Sequence, residues 1–201
     1  MIETERKKLY GKDEKYLSIG ITKGGIPRTS VWVPWEDTVH AFNMRTPSVY
    51  ISPEDLNDKE IMGKISTYKV IGCYIWESLQ DYSFLTCFKD LQDISINNGE
   101  TLQNLDFLSE LYECSMLYLR SAKLKDLDII ADVKKKSKNV FGALRCIGLD
   151  DCEIEDVSVF EKEKMHFSEF LVWKPEGSNE SSKWSAVSAS KFRYYEFRKR
   201  K

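Results

Sequence analysis

Apolar residues recur along the middle of the chain with one spacing. In five segments, apolar residues occupy the first, fourth and sixth positions, and the segments begin at Val70, Leu91, Cys114, Leu144 and Phe167. Apolar positions two apart are typical of a short β-strand with one buried face. Self-similarity at a regular period is typical of stacked repeats. The pattern therefore predicts an array of similar strands.

A second motif follows each of the first four segments. It carries Asp or Asn at its third position, Ser or Asp at its fifth, and then two bulky apolar residues, and it begins at Leu79, Leu102, Leu124 and Ile154. Short polar side chains accept hydrogen bonds from free backbone N–H groups where a helical turn begins. Each repeat is therefore predicted to run as a strand, a bend, and a short turn or helix. We expect the recurring Asp81, Asn104, Asp126 and Asp156 to act as caps rather than as calcium ligands.

The third repeat is longer than the others. The second motif recurs after 23 residues, then 22, then 30, counted between its four starting positions. The polar run Lys134–Asn139 supplies the extra length and is predicted to form a solvated loop.

With both motifs in register, residues 70–173 resemble a leucine-rich repeat protein, closest to the bacterial, internalin-like type with about 22 residues per repeat. The resemblance implies an α/β fold: a short solenoid with a parallel sheet whose concave face binds a partner. The family usually carries Asn or Cys at the ninth position, where it bonds the backbone along the stack. Cys152 fits, but its counterparts are Ser78, Ala122 and either Asn98 or Gly99, which predicts an irregular ladder. A plain amphipathic β/α domain remains the alternative.

Residues 1–69 are predicted to form an N-terminal α+β cap over the apolar end of the array. Tyr16–Ile21 and Ser30–Val33, on either side of two glycines, predict a β-hairpin, and Ser48–Ile51 predicts a further strand. Ser52 followed by Pro53 predicts the start of a helix that runs to about Ile65.

Residues 174–201 are predicted to be a linker and a basic, aromatic tail. The linker spans Pro175–Ser182, and a last strand is predicted over Phe192–Phe197.

Composition narrows the function without naming it. Acids and bases nearly cancel, at a net charge of -2, so no global field favours nucleic acid or membranes. The N-terminus shows no apolar leader, and the odd number of cysteines, 5, lies within apolar patterns, which predicts reduced thiols and a cytoplasmic location. No metal-binding, phosphate-binding or nucleophile motif is present, so we expect neither an enzyme nor a cofactor.

The residues between the buried strand positions are predicted to project from one concave sheet face. Tyr, Trp and Arg among them are the types most enriched in binding hot spots. The predicted partner-binding set is Tyr74, Trp76, Asp93, Asn97, Tyr118, Arg120, Asp150 and Trp173. The competing interpretation is that the cap or tail covers these residues and they are core. The hypothesis is a non-catalytic module that binds a protein; its sharper version is an inhibitor or immunity-type protein.

The tail supports a second hypothesis, a nucleic-acid-binding accessory protein. Its basic residues alternate with aromatic ones and could contact phosphates and stacked bases. They are Lys191, Arg193, Arg198, Lys199, Arg200 and Lys201. A solvated tail is the commoner explanation of such a composition.

Overall fold

The computed structural model describes residues 16–23, 48–137, 143–162, 165, 167–175 and 195–200. Eight strands of this part of the chain form one sheet in the order β10-β9-β7-β5-β4-β3-β1-β2, and every adjacent pair is parallel. The sheet strands are β1 Tyr16–Ile21, β2 Ser48–Ile51, β3 Lys69–Ile75, β4 Asp93–Ile96, β5 Met116–Arg120, β7 Cys146–Asp150, β9 Glu169–Pro175 and β10 Tyr195–Arg200. The predicted α/β class with a parallel sheet is confirmed.

Short elements connect the strands. They are the helices α1 Lys59–Ile65, α2 Asp128–Lys136 and α3 Val159–Lys162, the 3₁₀ turns Glu54–Asn57, Ser83–Cys87 and Asp106–Glu110, and a two-stranded parallel sheet of β6 Lys123–Leu124 with β8 Glu153–Ile154. Within the described ranges, no helix has the length and apolar character needed to cross a membrane.

The repeated apolar positions align across the sheet. Cys73 pairs with Ile94, Ile94 with Leu117, Leu117 with Ile147, and Ile147 with Phe170. All five side chains are completely buried in the main core. The predicted strand pattern and its register are therefore confirmed for β3, β4, β5, β7 and β9.

The apolar residues of the second motif pack into the same core from the side opposite the strands. Its last apolar residues, Leu85, Leu108, Ile130 and Phe160, are buried. Its third-position side chains accept from backbone N–H groups two residues on, at 2.8 Å for Asp81, 3.1 Å for Asn104, 3.2 Å for Asp126 and 2.7 Å for Asp156. The predicted capping role of these residues is confirmed.

The N-terminal segment continues the sheet. The end of β1 is paired on both edges, because Ile21 aligns with Ile51 of β2 and with Ile75 of β3. The predicted hairpin partner would need one of those edges, so the hairpin prediction is wrong for β1; Ser30–Val33 itself lies outside the described residues. The strand at Ser48–Ile51 is confirmed.

The helix expected from Ser52 to Ile65 is interrupted. A 3₁₀ turn covers Glu54–Asn57, with Pro53 at its N-cap position, and the extended backbone of Asp58, with φ -82° and ψ 111°, separates this turn from α1. The carboxylate of Asp58 accepts from the backbone N–H groups of Glu60 and Ile61 and starts the helix there. The predicted helix end at Ile65 is correct.

The insertion in the third repeat is partly helical. Helix α2 runs through Lys136, so the first half of the predicted loop Lys134–Asn139 is its last turn. The Nζ atom of Lys134 donates to the carbonyls of Ala143 at 2.9 Å and Leu144 at 3.2 Å. It also lies 4.3 Å from the centre of the Phe167 ring. Lys134 therefore joins α2 to the strands that follow it, instead of lying in a solvated loop.

The C-terminal segment contributes strand β10, which pairs with β9 at the edge of the sheet. This strand covers Tyr195–Arg200, later in the chain than the predicted Phe192–Phe197, and the residues between Pro175 and Tyr195 lie outside the described part. Arg198, Lys199 and Arg200 thus belong to an edge strand of the sheet. Strand β9 extends to Pro175, beyond the predicted end of the array at Trp173.

The ladder along the stack is irregular. The Cys152 thiol donates to the carbonyl of Leu119 at 3.3 Å, the role that the resemblance implies for a ninth-position cysteine. The Ser78 hydroxyl instead contacts the Thr101 hydroxyl at 2.9 Å, and Thr101 donates to the carbonyl of Leu79. Sequence reasoning missed Thr101 because it lies two residues after the aligned Gly99.

Candidate partner-binding face

On the sheet face opposite the main core, the residues between the buried strand positions align in three columns across the strands. Tyr74 aligns with Ser95, Ser95 with Tyr118, and Tyr118 with Gly148 and then Leu171. The column containing Asp93 and the column containing Arg120, Asp150 and Trp173 follow the same register. Trp76 and Asn97 continue the ladder just past β3 and β4, since their N–H groups donate to the carbonyls of Ile21 and Ile75.

Burial divides this face into two regions. In the first, at the ends of β2, β3 and β4 in the chain direction, Tyr50 is 38% exposed, and Tyr74, Trp76 and Asn97 are half-buried. In the second, on β5, β7 and β9, Tyr118 is 2% exposed and Trp173 is 8% exposed. We call these the open region and the closed region.

Four residues of the predicted binding set are buried, contrary to the expectation of one exposed patch. They are Asp93, Tyr118, Asp150 and Trp173. Tyr118 and Trp173 pack edge to face, with ring centroids 6.3 Å apart, in a second apolar cluster with Met116 and Leu171. Their large apolar area is buried within the protein, so Tyr118 and Trp173 are core residues.

A buried carboxylate organises the closed region. The Tyr118 hydroxyl donates to Oδ2 of Asp150 at 2.8 Å, and Nε of Arg120 lies 3.7 Å from the same oxygen. The side chain of Asp150 is almost fully buried, whereas that of Arg120 is 36% exposed. Arg120 therefore pairs with the buried charge from the surface, and its position is fixed by that contact.

Three aromatic side chains form the aromatic platform of the open region: Tyr50, Tyr74 and Trp76. The ring centroids of Tyr50 and Trp76 are 6.2 Å apart with planes at 37°, and those of Tyr74 and Trp76 are 6.2 Å apart with planes at 31°. The Trp76 ring therefore neighbours both tyrosine rings at shallow interplanar angles. Sequence reasoning named Tyr74 and Trp76 but missed Tyr50.

Glycines of the neighbouring strands let these rings lie against the sheet. A Cβ atom on Gly20 would lie 2.5 Å from a ring carbon of Tyr50 and 3.0 Å from one of Trp76. A Cβ atom on Gly72 would lie 3.1 Å from the Tyr74 ring. At the two distances measured from Gly20, a side chain at position 20 would have to displace the Tyr50 or Trp76 ring. An isolated glycine within a strand often marks such a close approach, and Gly20 was that signal.

Among the residues that the structure describes, two buried polar atoms near the platform lack a hydrogen-bond partner: Nε1 of Trp76 and Oγ of Ser18. Ser18 is 2% exposed, and its Oγ lies 2.8 Å from the position that a Cβ on Gly72 would take. An unsatisfied buried polar group costs about 1–3 kcal/mol. The open region therefore carries a stability cost, and the closed region carries one as well, since Oδ1 of Asp150 is on the same footing although Oδ2 accepts from Tyr118.

Three carboxylates follow the ends of β2 and β3, near the point where β1 also ends. Glu77 follows Trp76 directly and accepts from the backbone N–H of Lys23 at 2.8 Å. The pKa of Glu54 is lowered, chiefly by its own backbone N–H and the Ser52 hydroxyl, with a smaller contribution from Lys23. Asp55 accepts from the Ser52 N–H at 2.8 Å. Glu54, Asp55 and Glu77, which we call the acidic rim, outnumber the Lys23 ammonium among the described residues here.

The cysteines of the described chain are all free thiols. Burial raises the pKa of Cys73 and of Cys114 far above the ordinary thiol range. Burial, and then Glu169, raises the pKa of Cys146 to about 11, and burial also raises the pKa of Glu169. These thiols are protonated at neutral pH and are poor nucleophiles.

The other residues that could carry chemistry are only partly within the described chain. Among the described residues, no group of three or more His, Cys, Asp or Glu side chains is placed to hold a metal ion. Both histidines, His40 and His166, lie outside the described part of the chain. Of the basic residues in the nucleic-acid hypothesis, Arg198, Lys199 and Arg200 lie in β10, and Lys191, Arg193 and Lys201 lie outside the described part.

Comparisons with known proteins add no family to these observations. No protein-family model matches the chain, and a search of curated proteins returns no match.

Proposed function

We propose that this chain is a leucine-rich-repeat-like solenoid with an N-terminal cap, and that it binds a protein through the open region of its concave sheet face. The contact residues in this proposal are the aromatic platform and Asn97, together with Arg120, which is partly exposed on β5 at the neighbouring edge of the closed region. The buried Asp93, Tyr118, Asp150 and Trp173 hold the neighbouring strands and Arg120 in place. No reaction is proposed. The sharper form is an inhibitor or immunity-type protein that acts in the cytoplasm.

The observation that carries the proposal is the aromatic platform lying on Gly20 and Gly72. All-parallel sheets usually have both faces covered. Here one face packs into the main core, while large aromatic side chains of the open region keep part of their surface exposed. The backbone that carries these aromatic side chains is hydrogen-bonded within the sheet, so little conformational entropy is lost when a partner orders them. Tyr and Trp held in this way are the typical anchors of a protein interface.

The experiment starts from cross-linking and affinity capture in extract of the native organism, followed by titration of the purified partner. Trp76→Ala is expected to weaken binding about 10- to 100-fold, the loss usual for a central aromatic anchor. Tyr112→Ala is the matched control, because Tyr112 is also exposed (37%) but lies outside the platform. Equal affinity of wild-type and Trp76→Ala proteins, with both folded, contradicts the proposal.

The same titrations distinguish the proposed protein binding from the nucleic-acid hypothesis. Replacing Arg198, Lys199 and Arg200 with alanine should leave binding of the protein partner unchanged. If the wild-type chain instead binds an oligonucleotide with a steep salt dependence, and this triple variant loses that binding, the nucleic-acid hypothesis replaces the proposal.

A further inference from the structure

One asparagine of the sequence is followed by glycine: Asn98 precedes Gly99, just after the end of β4. In such a pair the backbone nitrogen of the glycine can attack Cγ of the asparagine side chain. A new C–N bond closes a cyclic imide, and the side-chain amide takes up the glycine proton and leaves as ammonia. Water then opens either carbonyl of the ring and gives aspartate or isoaspartate. Glycine favours this reaction because it has no side chain to obstruct the ring and rotates freely.

The peptide group between Asn98 and Gly99 is held at both ends in the folded chain. Its N–H donates to the carbonyl of Arg120, the last residue of β5, at 2.8 Å. Its carbonyl accepts from the hydroxyl of Tyr82, which lies in the connection between β3 and β4, at 3.4 Å. The two partners come from the repeats before and after β4. This one peptide group therefore joins three successive repeats.

These contacts oppose cyclisation. The attacking nitrogen must lose its proton and turn toward the Asn98 side chain, yet its N–H is bonded to Arg120 and Gly99 is buried. Reaction therefore requires the contact between the ends of β4 and β5 to open first, and such local opening has its own free energy.

Packing also explains why the reactive pair contains glycine. A Cβ atom on Gly99 would lie 3.0 Å from the carbonyl oxygen of Arg120 and 3.2 Å from Cβ of Ala122. The first of these neighbours is backbone, which cannot rotate away as a side chain can. The close stacking of the repeats thus requires the residue that makes Asn98 most reactive once the stack opens.

Isoaspartate at position 98 is incompatible with the closed stack. It carries the main chain through the former side chain, which adds a methylene group between the Cα atom and the carbonyl that joins Gly99. The N–H bonded to Arg120 and the carbonyl bonded to Tyr82 are then displaced relative to the rest of the loop. The reaction also leaves a carboxylate at a half-buried position, where a charge is costly.

We propose that Asn98 is a latent self-modification site. The closed stack keeps it as asparagine, opening between β4 and β5 lets it cyclise, and the resulting isoaspartate prevents the stack from closing again. The site therefore marks chains that have opened. This inference does not depend on the proposed function.

The test incubates the full chain and a synthetic peptide of residues 92–104 side by side in mildly alkaline buffer. Mass spectrometry of the digested chain measures deamidation, and methylation by an isoaspartyl methyltransferase measures isoaspartate. We expect Asn98 to react at least about 100-fold more slowly in the folded chain than in the peptide, because opening must come first. The chain held in urea should react as fast as the peptide. Asn97 and Asn104 should remain largely unmodified throughout, since neither is followed by glycine.

A variant and its control assign the protection to the contacts of the peptide group. Tyr82→Phe removes the hydroxyl that bonds the Asn98 carbonyl, and it should speed the reaction in the folded chain about threefold, the effect of one weak hydrogen bond. Tyr112→Phe removes an exposed hydroxyl elsewhere and should leave the rate unchanged.

Refolding tests the consequence of the modification. Wild-type chains converted in urea and then refolded should unfold at a lower urea concentration than untreated chains. Asn98→Gln chains treated in the same way should unfold at an unchanged concentration, because the longer side chain cyclises far more slowly. An unchanged midpoint for the converted wild-type chain overturns the claim that isoaspartate prevents closing. Equal rates of modification in the folded chain and the peptide, or no preference for Asn98 in urea, overturn the site itself.

Discussion

The open and closed regions are built on one sheet face with the same register, yet they use their aromatic residues in opposite ways. In the closed region, Tyr118 and Trp173 pack against each other, and the Tyr118 hydroxyl bonds the buried Asp150. In the open region, Tyr50, Tyr74 and Trp76 lie beside one another on glycines, and the Trp76 indole has no acceptor within the described part of the chain. The closed region is organised for stability and the open region for contact. Position in a repeat therefore fixes the face of a residue but not its role.

The largest expected difference is between the two tryptophans. Trp173→Ala should destabilise the protein by about 3–5 kcal/mol, because it empties a well-packed site. Trp76→Ala should cost about 1 kcal/mol or less, since it also removes an unsatisfied donor. Urea unfolding followed by circular dichroism measures both. Similar losses of unfolding free energy in the two variants would contradict the distinction between the open and closed regions.

The pH dependence of the free energy of unfolding tests the role of Lys134, which joins helix α2 to the strands of the closed region. Burial lowers the pKa of Lys134 from 10.5 to about 8. The native state then binds fewer protons than the unfolded state between these values, so this group makes stability rise as pH increases from 8 to 10.5. Below pH 8 the full cost of burying the protonated Lys134 side chain lowers the stability of the protein.

Comparison with Lys134→Met isolates that group, because the other titrating residues are shared. The wild-type protein should gain on the order of 1–3 kcal/mol relative to the variant between pH 8 and pH 10.5. Urea unfolding of both proteins at pH 7, 8, 9 and 10.5 measures it. A constant difference across this range contradicts a lowered pKa.

Removing single hydroxyl groups should also separate the regions. Tyr118→Phe leaves the buried Asp150 without its donor at 2.8 Å and should cost about 1–2 kcal/mol. Tyr50→Phe changes an exposed side chain and should stay within about 0.5 kcal/mol. Thermal unfolding of the two variants suffices, and a larger loss from Tyr50→Phe would reverse the assignment.

The smallest expected effect concerns the backbone just after β5. Ser121 has a φ of 57°, a left-handed conformation that favours glycine. Ser121→Gly should stabilise the protein by about 0.5–1 kcal/mol, after allowing for the greater entropy of glycine in the unfolded chain. Ser121→Ala keeps a Cβ atom and should give no such gain. Equal stability of the two variants would show that the conformation carries no strain.

Much of the fold could be predicted from the sequence because it follows local periodicity. Apolar residues two apart identified the strands, alignment of the repeats gave their register, and short polar side chains such as Asp81 identified the turns. The joining of β1 and β2 to the sheet could not be read in this way, since parallel pairing is set by contacts between distant segments. Gly20 within an alternating strand was the local hint of a close approach.

The binding face was predicted only as a set of positions. Whether a residue such as Trp173 is covered depends on its packing against Tyr118, which lies two sheet strands away, and periodicity carries no information about that contact. Tyr50 was missed because its strand was assigned to a separate cap. The contacts that place it on the platform are with Gly20 and Trp76.

Hydroxyl-radical footprinting of the free and partner-bound protein, read residue by residue by mass spectrometry, tests the central claim most directly. In the free protein, Tyr50, Tyr74 and Trp76 should oxidise readily, and Tyr118 and Trp173 slowly. Partner binding should protect the first three and leave the other two unchanged. Protection of Tyr118 and Trp173, with the aromatic platform unaffected, would contradict the account.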